Sequence, residues 1–359
     1  MTDTMKRNRE AEMNLLAAAK DAQWSATTFL GPGSLKLVAP AKVNLLLSVG
    51  PRRDDGYHEV ENIMHALALH DVLYLHAEPL AEDELARAAA ELAEGLPRTG
   101  ETCAVGGPSD NLLVEIDLSD RTGQDLCVPA LDNLAFKAAD RLARAVGRVA
   151  PEKVSLRIEK HIPAQGGLGG GSSDAAAVLV GLASVWGVAS DDARLREVAQ
   201  GLGADVAFFL QGGCQMLEGA GEHSVRTLAP SRRPVVLVRP DAGVSTAECY
   251  RRFDEQPVPV STEVLEAARL AAEAAQVPLA NNLAPAAESL LPELACVRQW
   301  LAERAGGENV LLCGSGSTTF ALFDSFDVAS AVAVEAGKRG WWARPTNLSG
   351  LRAAVVPGR

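Results

Sequence analysis

The chain has 359 residues, of which 47% are hydrophobic and 22% are charged. These values are typical of a globular protein, and the length predicts two domains that share a cleft. The net charge of −12, from 34 basic and 46 acidic residues, argues against a nucleic-acid-binding protein, which needs a basic surface. A phosphorylated small molecule is not excluded, because a few backbone amides and one or two cations are enough to hold a phosphate.

The six cysteines are widely spaced and include no Cys-x-x-Cys pair, so neither a disulfide framework nor a zinc site is expected. A reducing cytoplasm is the simplest location, and the first residues do not predict a secretory signal. The longest uncharged stretch, residues 175–190, is too short to span a membrane and predicts a buried helix. We therefore expect neither a membrane nor a nucleic acid as a partner.

The N-terminal half begins with residues 1–33, a polar and then alanine-rich extension that runs into "GPGS". Residues 35–50 alternate like a strand but contain Pro40, which is compatible with two short strands or one bent strand. Residues 52–78 start with a turn signal and continue as an apolar stretch. Residues 79–130 change to Ala/Glu-rich and loop-like sequence, which predicts a surface insertion that is partly helical.

The next segments predict a helix and a strand that lead into an unusual loop. Residues 131–146 carry apolar side chains on one stripe, as an amphipathic helix does, and residues 154–163 alternate like a half-buried strand. A glycine-rich loop follows, and a further helix begins near Ser172. In the second half, strand 234–240 opens a region with helices near 262–276 and 284–304, a strand–turn–strand at 309–323, then a helix and a last strand. The fold class is therefore α+β.

The glycine-rich loop lies in "IPAQGGLGGGSSDAAAVLVGL", which has five glycines and two serines between Gly166 and Ser173. No lysine follows as a P-loop requires, and the dinucleotide pattern G-x-G-x-x-G fails at Ser172. Glycines that allow close approach, followed by the free N–H groups of a helix start, form an anion site. The alternative is a tight turn whose serines only cap the helix, but a cap needs far fewer glycines.

This loop, in "PAQGGLGGGSSDAAA", resembles the central motif of the GHMP kinases, a family of small-molecule kinases. "APAKVNL" at 39–45 and "CGSGSTTFALF" at 313–323 are similar to the first and third motifs of that family, in the same order. The resemblance implies a ribosomal-S5-like α/β domain over 34–228, a ferredoxin-like α+β domain over 229–359, and an active site between them. It also implies ATP and Mg²⁺. The implied ATP-binding residues are Pro163, Ala164, Gln165, Gly166, Gly167, Leu168, Gly169, Gly170, Gly171, Ser172 and Ser173, with Ser172 or Ser173 near the Mg²⁺.

Two charged residues are implied by the resemblance to be catalytic. Asp205 in "GADV" corresponds to the catalytic base and Lys42 in "PAKVN" to its partner. A carboxylate that accepts the hydroxyl proton suits phosphoryl transfer, and a nearby lysine keeps it ionised. Taken alone, Asp205 would be read as a turn residue and Lys42 as an exposed strand lysine. Asn44 is in phase with Lys42 on a strand, and the family uses this asparagine to line the same site.

The stretches between the motifs indicate the acceptor. "PAKVNLLLSVGPRRDDGYHEV", "LGADVAFF", "LEGAGE", "GVSTAECY" and "NNLAPAA" resemble the branch of the family that phosphorylates the 2-hydroxyl of 4-diphosphocytidyl-2-C-methyl-D-erythritol, in the non-mevalonate route to isoprenoid and terpenoid precursors. The resemblance implies that Tyr57 and His58 bind the cytosine, that Tyr250 forms a second aromatic wall, and that a turn contacts the substrate phosphates. The turn residues are Gly314, Ser315 and Gly316, for which a plain glycine hairpin is the alternative.

Two other functions stay open at this point. A GHMP kinase for another small alcohol, of the homoserine or mevalonate type, is disfavoured by "DGYHE"; a non-catalytic binding protein of this fold is disfavoured by the intact charged pair and serines. Gln165 stands where a glycine or small residue is expected, and Asn282 where many relatives carry aspartate, so Asn282 receives no catalytic role. Asp174 is compatible with two roles: a position near the nucleotide, or an interaction with the dipole at the N-terminus of its helix. Both a monomer and a homodimer are compatible with the sequence.

Overall fold

The structure is a computed structural model that describes residues 33–53, 56, 58–94, 102–124, 126, 128–219, 221 and 223–357. Residues 1–32 of the predicted extension, and Tyr57, lie outside these described residues. Within the described residues there are ten α-helices and thirteen strands, which form two sheets. In this part of the chain no helix combines the length and the apolar character that crossing a membrane requires.

The elements follow one another in a mixed order that confirms the α+β class. The strands are β1 Leu35–Arg52, β2 His58–Pro79, β3 Thr102–Gly106, β4 Leu112–Asp120, β5 Glu152–Lys160, β6 Cys214–Glu218, β7 His223–Leu228, β8 Pro234–Arg239, β9 Ala280–Asn281, β10 Val310–Leu312, β11 Thr319–Leu322, β12 Trp342–Asn347 and β13 Ala354–Val355. The helices are α1 Glu82–Ala93, α2 Leu134–Val146, α3 Gly170–Val185, α4 Ala193–Leu202, α5 Ala204–Gln211, α6 Thr246–Glu255, α7 Thr262–Leu270, α8 Ala284–Leu290, α9 Glu293–Ala305 and α10 Phe326–Gly337.

The larger sheet has the strand order β13-β1-β2-β5-β4-β3, with β6 paired to β2, β7 paired to β6, and β9 paired to β1. Strand β1 is one bent strand, as one of the two sequence alternatives predicted. Its register against β2 shifts after Pro40, after Asn44 and after Val49. Proline donates no ladder hydrogen bond, so a break in regular pairing at Pro40 is expected. The bend places Lys42 and Asn44 beside the glycine loop.

Residues 79–130 differ from the expectation of a surface insertion. Helix α1 confirms the helical part, but β4 is an inner strand that lies between β5 and β3 and runs parallel to β5. Leu112, Val114 and Ile116 of β4 are buried in the main core. The Ala/Glu-rich stretch and the loops on either side of β4 led to the prediction of a surface insertion. The apolar residues of β4 in fact form part of the buried face of the larger sheet.

The smaller sheet has the order β10-β11-β8-β12, and all of its neighbouring strands are antiparallel. Helices α9 and α10 pack on it through Val297, Trp300 and Val332, against Val236 and Val238 of β8. This order and connectivity match the predicted ferredoxin-like arrangement. The domain division at residue 228 stays a prediction, and β9 and β13, which follow it, pair with β1 in the larger sheet.

Helix α3 confirms a buried helix in this region, but it spans Gly170–Val185 rather than 175–190, and residues 184 and 185 at its end are exposed. Its residues from Ala175 to Leu179 are fully buried against β1 and β2. A Cβ at Gly181 would come within 2.9 Å of Leu37 and 3.0 Å of Leu75, so both leucine side chains would have to shift. The close packing fixes the N-terminal end of α3, and with it the end of the glycine loop.

Candidate active site

The glycine loop connects β5 to α3, as the sequence predicted, and two of its glycines are required by their surroundings. Gly167 has a φ of +73° and Gly169 a φ of +74°. A Cβ atom at Gly167 would lie 2.1 Å from the Cys313 carbonyl oxygen, and one at Gly169 would lie 2.9 Å from the Phe209 ring. No other residue type fits both the backbone conformation and the space at these positions.

The loop presents an uninterrupted series of backbone donors. Residues 164–165 form a hydrogen-bonded turn, and after it no hydrogen bond from the N–H groups of residues 167–172 is found among the described residues. The first helical bond after the loop runs from Ser173 N to Gly169 O. Six consecutive free N–H groups, the last of them at the start of a buried helix, form a site suited to an anion. This feature supports phosphate binding over the capped-turn alternative.

A cavity of about 380 Å³ opens beside the loop. One wall consists of Leu118, Leu126, Val128 and Leu134, and the other is the backbone from Pro163 to Ser172. Its size and its apolar wall suit the base and ribose of a nucleotide whose phosphates lie on the loop. Ser172 lines the cavity, whereas Ser173 is fully buried and its hydroxyl has no hydrogen-bond partner among the described residues.

Lys42 and Asp205 lie next to each other at the loop. The Lys42 Nζ atom is 3.6 Å from Asp205 Oδ2 and donates a hydrogen bond of 2.9 Å to Asn44 Oδ1. The Lys42 side chain is 6% exposed and that of Asp205 34%, so the lysine is fixed and the carboxylate faces the cleft. The Lys42 backbone N–H also donates to Leu168 O, at 3.0 Å, which ties this strand to the loop.

The structure adds Asn62, which the sequence did not indicate, to the surroundings of this pair. Asn44, itself buried, donates from Nδ2 to Asn62 Oδ1 at 2.8 Å. Asn44 therefore accepts from Lys42 on one side and is oriented by Asn62 on the other. Asn62 lies on β2, and no local pattern around it signals this contact.

The turn of the third motif is bound directly to the glycine loop by backbone hydrogen bonds. Ser317 N donates to Gln165 O at 3.3 Å and Thr318 N donates to Gly166 O at 3.2 Å. Asn281 Nδ2 donates to Gly314 O at 2.7 Å. The first and third motifs meet as well, because a Cβ at Gly314 would lie 3.7 Å from Asn44 Oδ1. All three motifs thus converge on one cleft.

Aromatic residues line the other end of the cleft. The His58 ring centroid is 5.2 Å from that of Tyr250 on α6, with the two rings tilted by 50°. Burial, and then the negative charges of Cys249 and Asp205, raise the pKa of Tyr250 to about 12. Ser315 belongs to the same region, since its hydroxyl lies 2.9 Å from that of Thr246.

A buried charge cluster lies beneath the loop. Lys160 Nζ contacts Asp71 and is 2.5 Å from Asp174 Oδ2, and all three side chains are at most 8% exposed. Burial raises the pKa of Asp174 well above its usual range, and the effect of Lys160, which opposes this, is only partial. Asp71 also accepts hydrogen bonds from the backbone N–H groups of His161 and Ile162. Asp174 thus joins the helix start to the strand end, and its Oδ1 has no partner among the described residues.

The two departures from the family pattern have different structural consequences. Gln165 has a φ of +54°, which explains why a glycine was expected there, and its carbonyl is the one that accepts from Ser317. Asn282 is buried and bonds to both backbone atoms of Val49, with its Oδ1 accepting and its Nδ2 donating. It joins α8 to β1 and lies away from the charged pair, in keeping with the absence of an assigned catalytic role.

A larger cavity, of about 830 Å³, lies on the far side of α5, between α3, α4 and β13. It contains neither the glycine loop nor the Lys42–Asp205 pair, so the volume of a cavity does not by itself identify the active site of this protein. The smaller cavity is lined by the glycine loop and is the candidate nucleotide site. Lys42 and Asp205 do not line it, but the Lys42 backbone joins the loop at Leu168.

Comparisons with known proteins agree with this geometry. Family models described as "GHMP kinases N terminal domain" and "GHMP kinases C terminal" match residues 133–213 and 262–340. A 4-diphosphocytidyl-2-C-methyl-D-erythritol kinase from Pelotomaculum thermopropionicum is 38% identical over 300 residues, which cover 82% of this chain and 91% of the relative. The chain belongs to this family of GHMP kinases. A second kinase of the same name, from Desulfitobacterium hafniense, is 34% identical over 83% of the chain and 90% of its own length.

Solved structures of GHMP kinases share the fold. A crystal structure of 4-(cytidine 5'-diphospho)-2C-methyl-D-erythritol kinase superposes with a TM-score of 0.61 at 32% identity, and covers 88% of this chain and 99% of the other. A homoserine kinase from Cytophaga hutchinsonii has the same TM-score at 18% identity, and covers 90% and 97%. The second likeness shows only that the GHMP kinase fold is shared.

Proposed function

We propose that this GHMP kinase transfers the γ-phosphate of ATP to the 2-hydroxyl of 4-diphosphocytidyl-2-C-methyl-D-erythritol, which gives the 2-phosphate and ADP. In the cell this is a step of the non-mevalonate route to isoprenoid precursors. The observation that carries the proposal is the Lys42–Asp205 pair, 3.6 Å apart, beside a loop in which the N–H groups of residues 167–172 have no partner among the described residues. The names of relatives at 34–38% identity support the choice of acceptor.

The mechanism assigns one role to each part of the site. The N–H groups of residues 167–172 hold the ATP phosphates, and the helix dipole of α3 adds to their effect. Asp205 accepts the proton of the attacking hydroxyl as the bond to phosphorus forms. Lys42, oriented by Asn44, lies beside the Asp205 carboxylate and stabilises the negative charge on the attacking oxygen.

The oxygen atoms at the loop fit a Mg²⁺ ion that arrives with ATP. Such an ion keeps several waters and takes one or two protein oxygens beside the phosphates. Ser172 lines the cavity and is only partly buried, so its hydroxyl is the best placed of these oxygens. The Ser173 hydroxyl and Asp174 Oδ1 are less suited, because both atoms are buried. When bound, the ion neutralises charge on the phosphate oxygens during transfer.

The acceptor end of the cleft supports a cytidine-diphosphate substrate. His58 and Tyr250 offer a polar ring and an aromatic face to a base. The turn at residues 314–316 lies beside Asn44, where the diphosphate of the acceptor would pass. A cytoplasmic location fits the buried thiols of Cys214 and Cys313.

The decisive experiment measures ADP release by the purified protein with Mg²⁺-ATP and one of three alcohols. We expect turnover with 4-diphosphocytidyl-2-C-methyl-D-erythritol and little with homoserine or mevalonate. Faster turnover of either competitor would assign the chain to another acceptor, and no turnover of any alcohol together with measurable ATP binding would favour the non-catalytic alternative.

A further inference from the structure

The position of His58 depends on helix α6. His58 is the first residue of β2, its side chain is 8% exposed, and its ring packs on Tyr250 and edge-on to Phe253, whose ring centroid is 6.3 Å away. Both aromatic residues are on α6, so one helix shapes the surroundings of the ring. The same helix supplies a third contact that no motif of the sequence indicated, Asp254.

The contact with Asp254 determines which His58 nitrogen carries the hydrogen. His58 Nε2 lies 2.7 Å from Asp254 Oδ1. A carboxylate oxygen accepts hydrogen bonds and donates none, so Nε2 must be the N–H donor. A neutral imidazole has a single N–H, which leaves Nδ1 with an exposed lone pair. Within the described part of the chain, Nδ1 makes no hydrogen bond, and this atom is available to a ligand.

We propose that Asp254 is a positioning residue that holds His58 as a hydrogen-bond acceptor and thereby makes the site select a cytosine over a uracil. The inference rests on the proposed function, since it requires an acceptor substrate with a pyrimidine base. Cytosine carries an exocyclic amino group, a donor, at the position where uracil carries a carbonyl oxygen. A bare Nδ1 accepts from the amino group and repels the carbonyl. The base specificity is thus set by a carboxylate that does not itself touch the substrate.

The first test measures the state of the ring. Nitrogen-15 NMR of the histidine side chains distinguishes Nε2–H, Nδ1–H and doubly protonated imidazole. We expect His58 in the wild-type protein to be the Nε2–H form, and in Asp254→Leu to shift towards the Nδ1–H form. A His58 signal that is the same in both proteins would overturn the inference, whatever substrate the enzyme uses.

The second test measures base selection as the ratio of kcat/KM for the cytidine-diphosphate acceptor to that for its uridine-diphosphate counterpart. For Asp254→Leu we expect this ratio to fall by about tenfold or more, through a higher KM for the cytidine acceptor, with the KM for ATP unchanged. Asp254→Asn retains an oxygen that accepts from Nε2–H, so it should keep most of the ratio. A merely structural role would change both KM values together and would not be rescued by asparagine.

A matched control removes a charge from the same helix without touching the ring. Glu255 is the next residue, and its carboxylate pairs with Arg252 at the surface, so Glu255→Leu should leave the ratio and the NMR signal unchanged. If the wild type does not phosphorylate the cytidine acceptor, the proposed function fails, and the NMR test still decides on Asp254. If the wild type uses it but does not distinguish it from the uridine form, the inference alone is wrong.

Discussion

Replacement of Gly167 by alanine should separate the contribution of the glycine loop from that of general stability. The new Cβ would lie 2.1 Å from the Cys313 carbonyl oxygen, whereas ordinary contacts begin at 3.4 Å, so the loop must withdraw from the third motif by about 1 Å or more. A displacement of about 1 Å at a reacting centre costs about 100-fold in rate. We therefore expect kcat/KM for ATP to fall about 100-fold.

The free energy of unfolding should fall in the same variant. An alanine with a φ near +73° costs about 1–2 kcal/mol, and the clash adds about 1–3 kcal/mol. Gly147→Ala is the matched control, because Gly147 has a φ of +72° and no atom within 4 Å of the added Cβ. It should lose about 1–2 kcal/mol of stability and no activity. Steady-state kinetics with ATP as the varied substrate and urea unfolding measure the two effects.

The reasoning would be refuted by a Gly167→Ala protein whose kcat/KM for ATP is within about threefold of the wild type, since the loop would then tolerate the displacement. Equal losses of activity in both variants would point instead to a general effect of backbone strain.

Three further predictions concern single side chains. Asp205→Ala should lower kcat by about 100- to 10,000-fold with little change in the melting temperature, because the side chain is partly exposed; near-normal turnover would remove it from the role of base. Gln165→Gly should leave the KM for ATP within about twofold, because the loop uses the carbonyl of this residue rather than its side chain; a tenfold rise would contradict this. His65 is buried with its pKa lowered from 6.5 to about 4, because burial disfavours the charged ring more than the hydrogen bond with the Ala66 carbonyl favours it. Its contribution to stability is present above pH 6.5 and is lost as the pH falls towards 4, so urea unfolding at pH 7.5 and pH 4.5 should differ by up to about 3 kcal/mol more in the wild type than in His65→Gln.

Much of the fold could be predicted because its signals are local. The alternation over residues 154–163, the glycines after it and the uncharged stretch over 175–190 correspond to β5, the loop and α3. After residue 234 the strands at 234–240 and 309–323 and the helix near 262–276 were predicted, but helix α6 (Thr246–Glu255) was not, and the single helix expected over 284–304 is two, α8 and α9, separated at Leu291 and Pro292. Strand β4 was not predicted as an inner strand, because its burial depends on pairing with β5, some 40 residues further along the chain.

The residues of the candidate site likewise include some that the sequence predicted and some that only the structure reveals. Lys42, Asp205 and the glycine loop stand in motifs, and the structure brings them together, although their catalytic roles stay predictions. Tyr57 lies outside the described residues. Asn62 and Asp254 could not be found from the sequence, since each acts through a partner that is distant in the chain and neither occurs in a recognisable pattern.

The hydrogen bonds between the glycine loop and the third motif use only carbonyl groups of the loop, which leaves the amide groups of the same peptides directed elsewhere. The peptide that joins Gly166 to Gly167 therefore has its carbonyl bound to the C-terminal half of the chain and its N–H without a partner among the described residues, in the loop proposed to bind ATP. Binding at one end of a peptide polarises and stiffens the other, so the two events are thermodynamically linked. ATP should accordingly slow amide hydrogen exchange at Ser317 and Thr318, residues whose N–H groups are already engaged by the loop and would not need to touch the nucleotide.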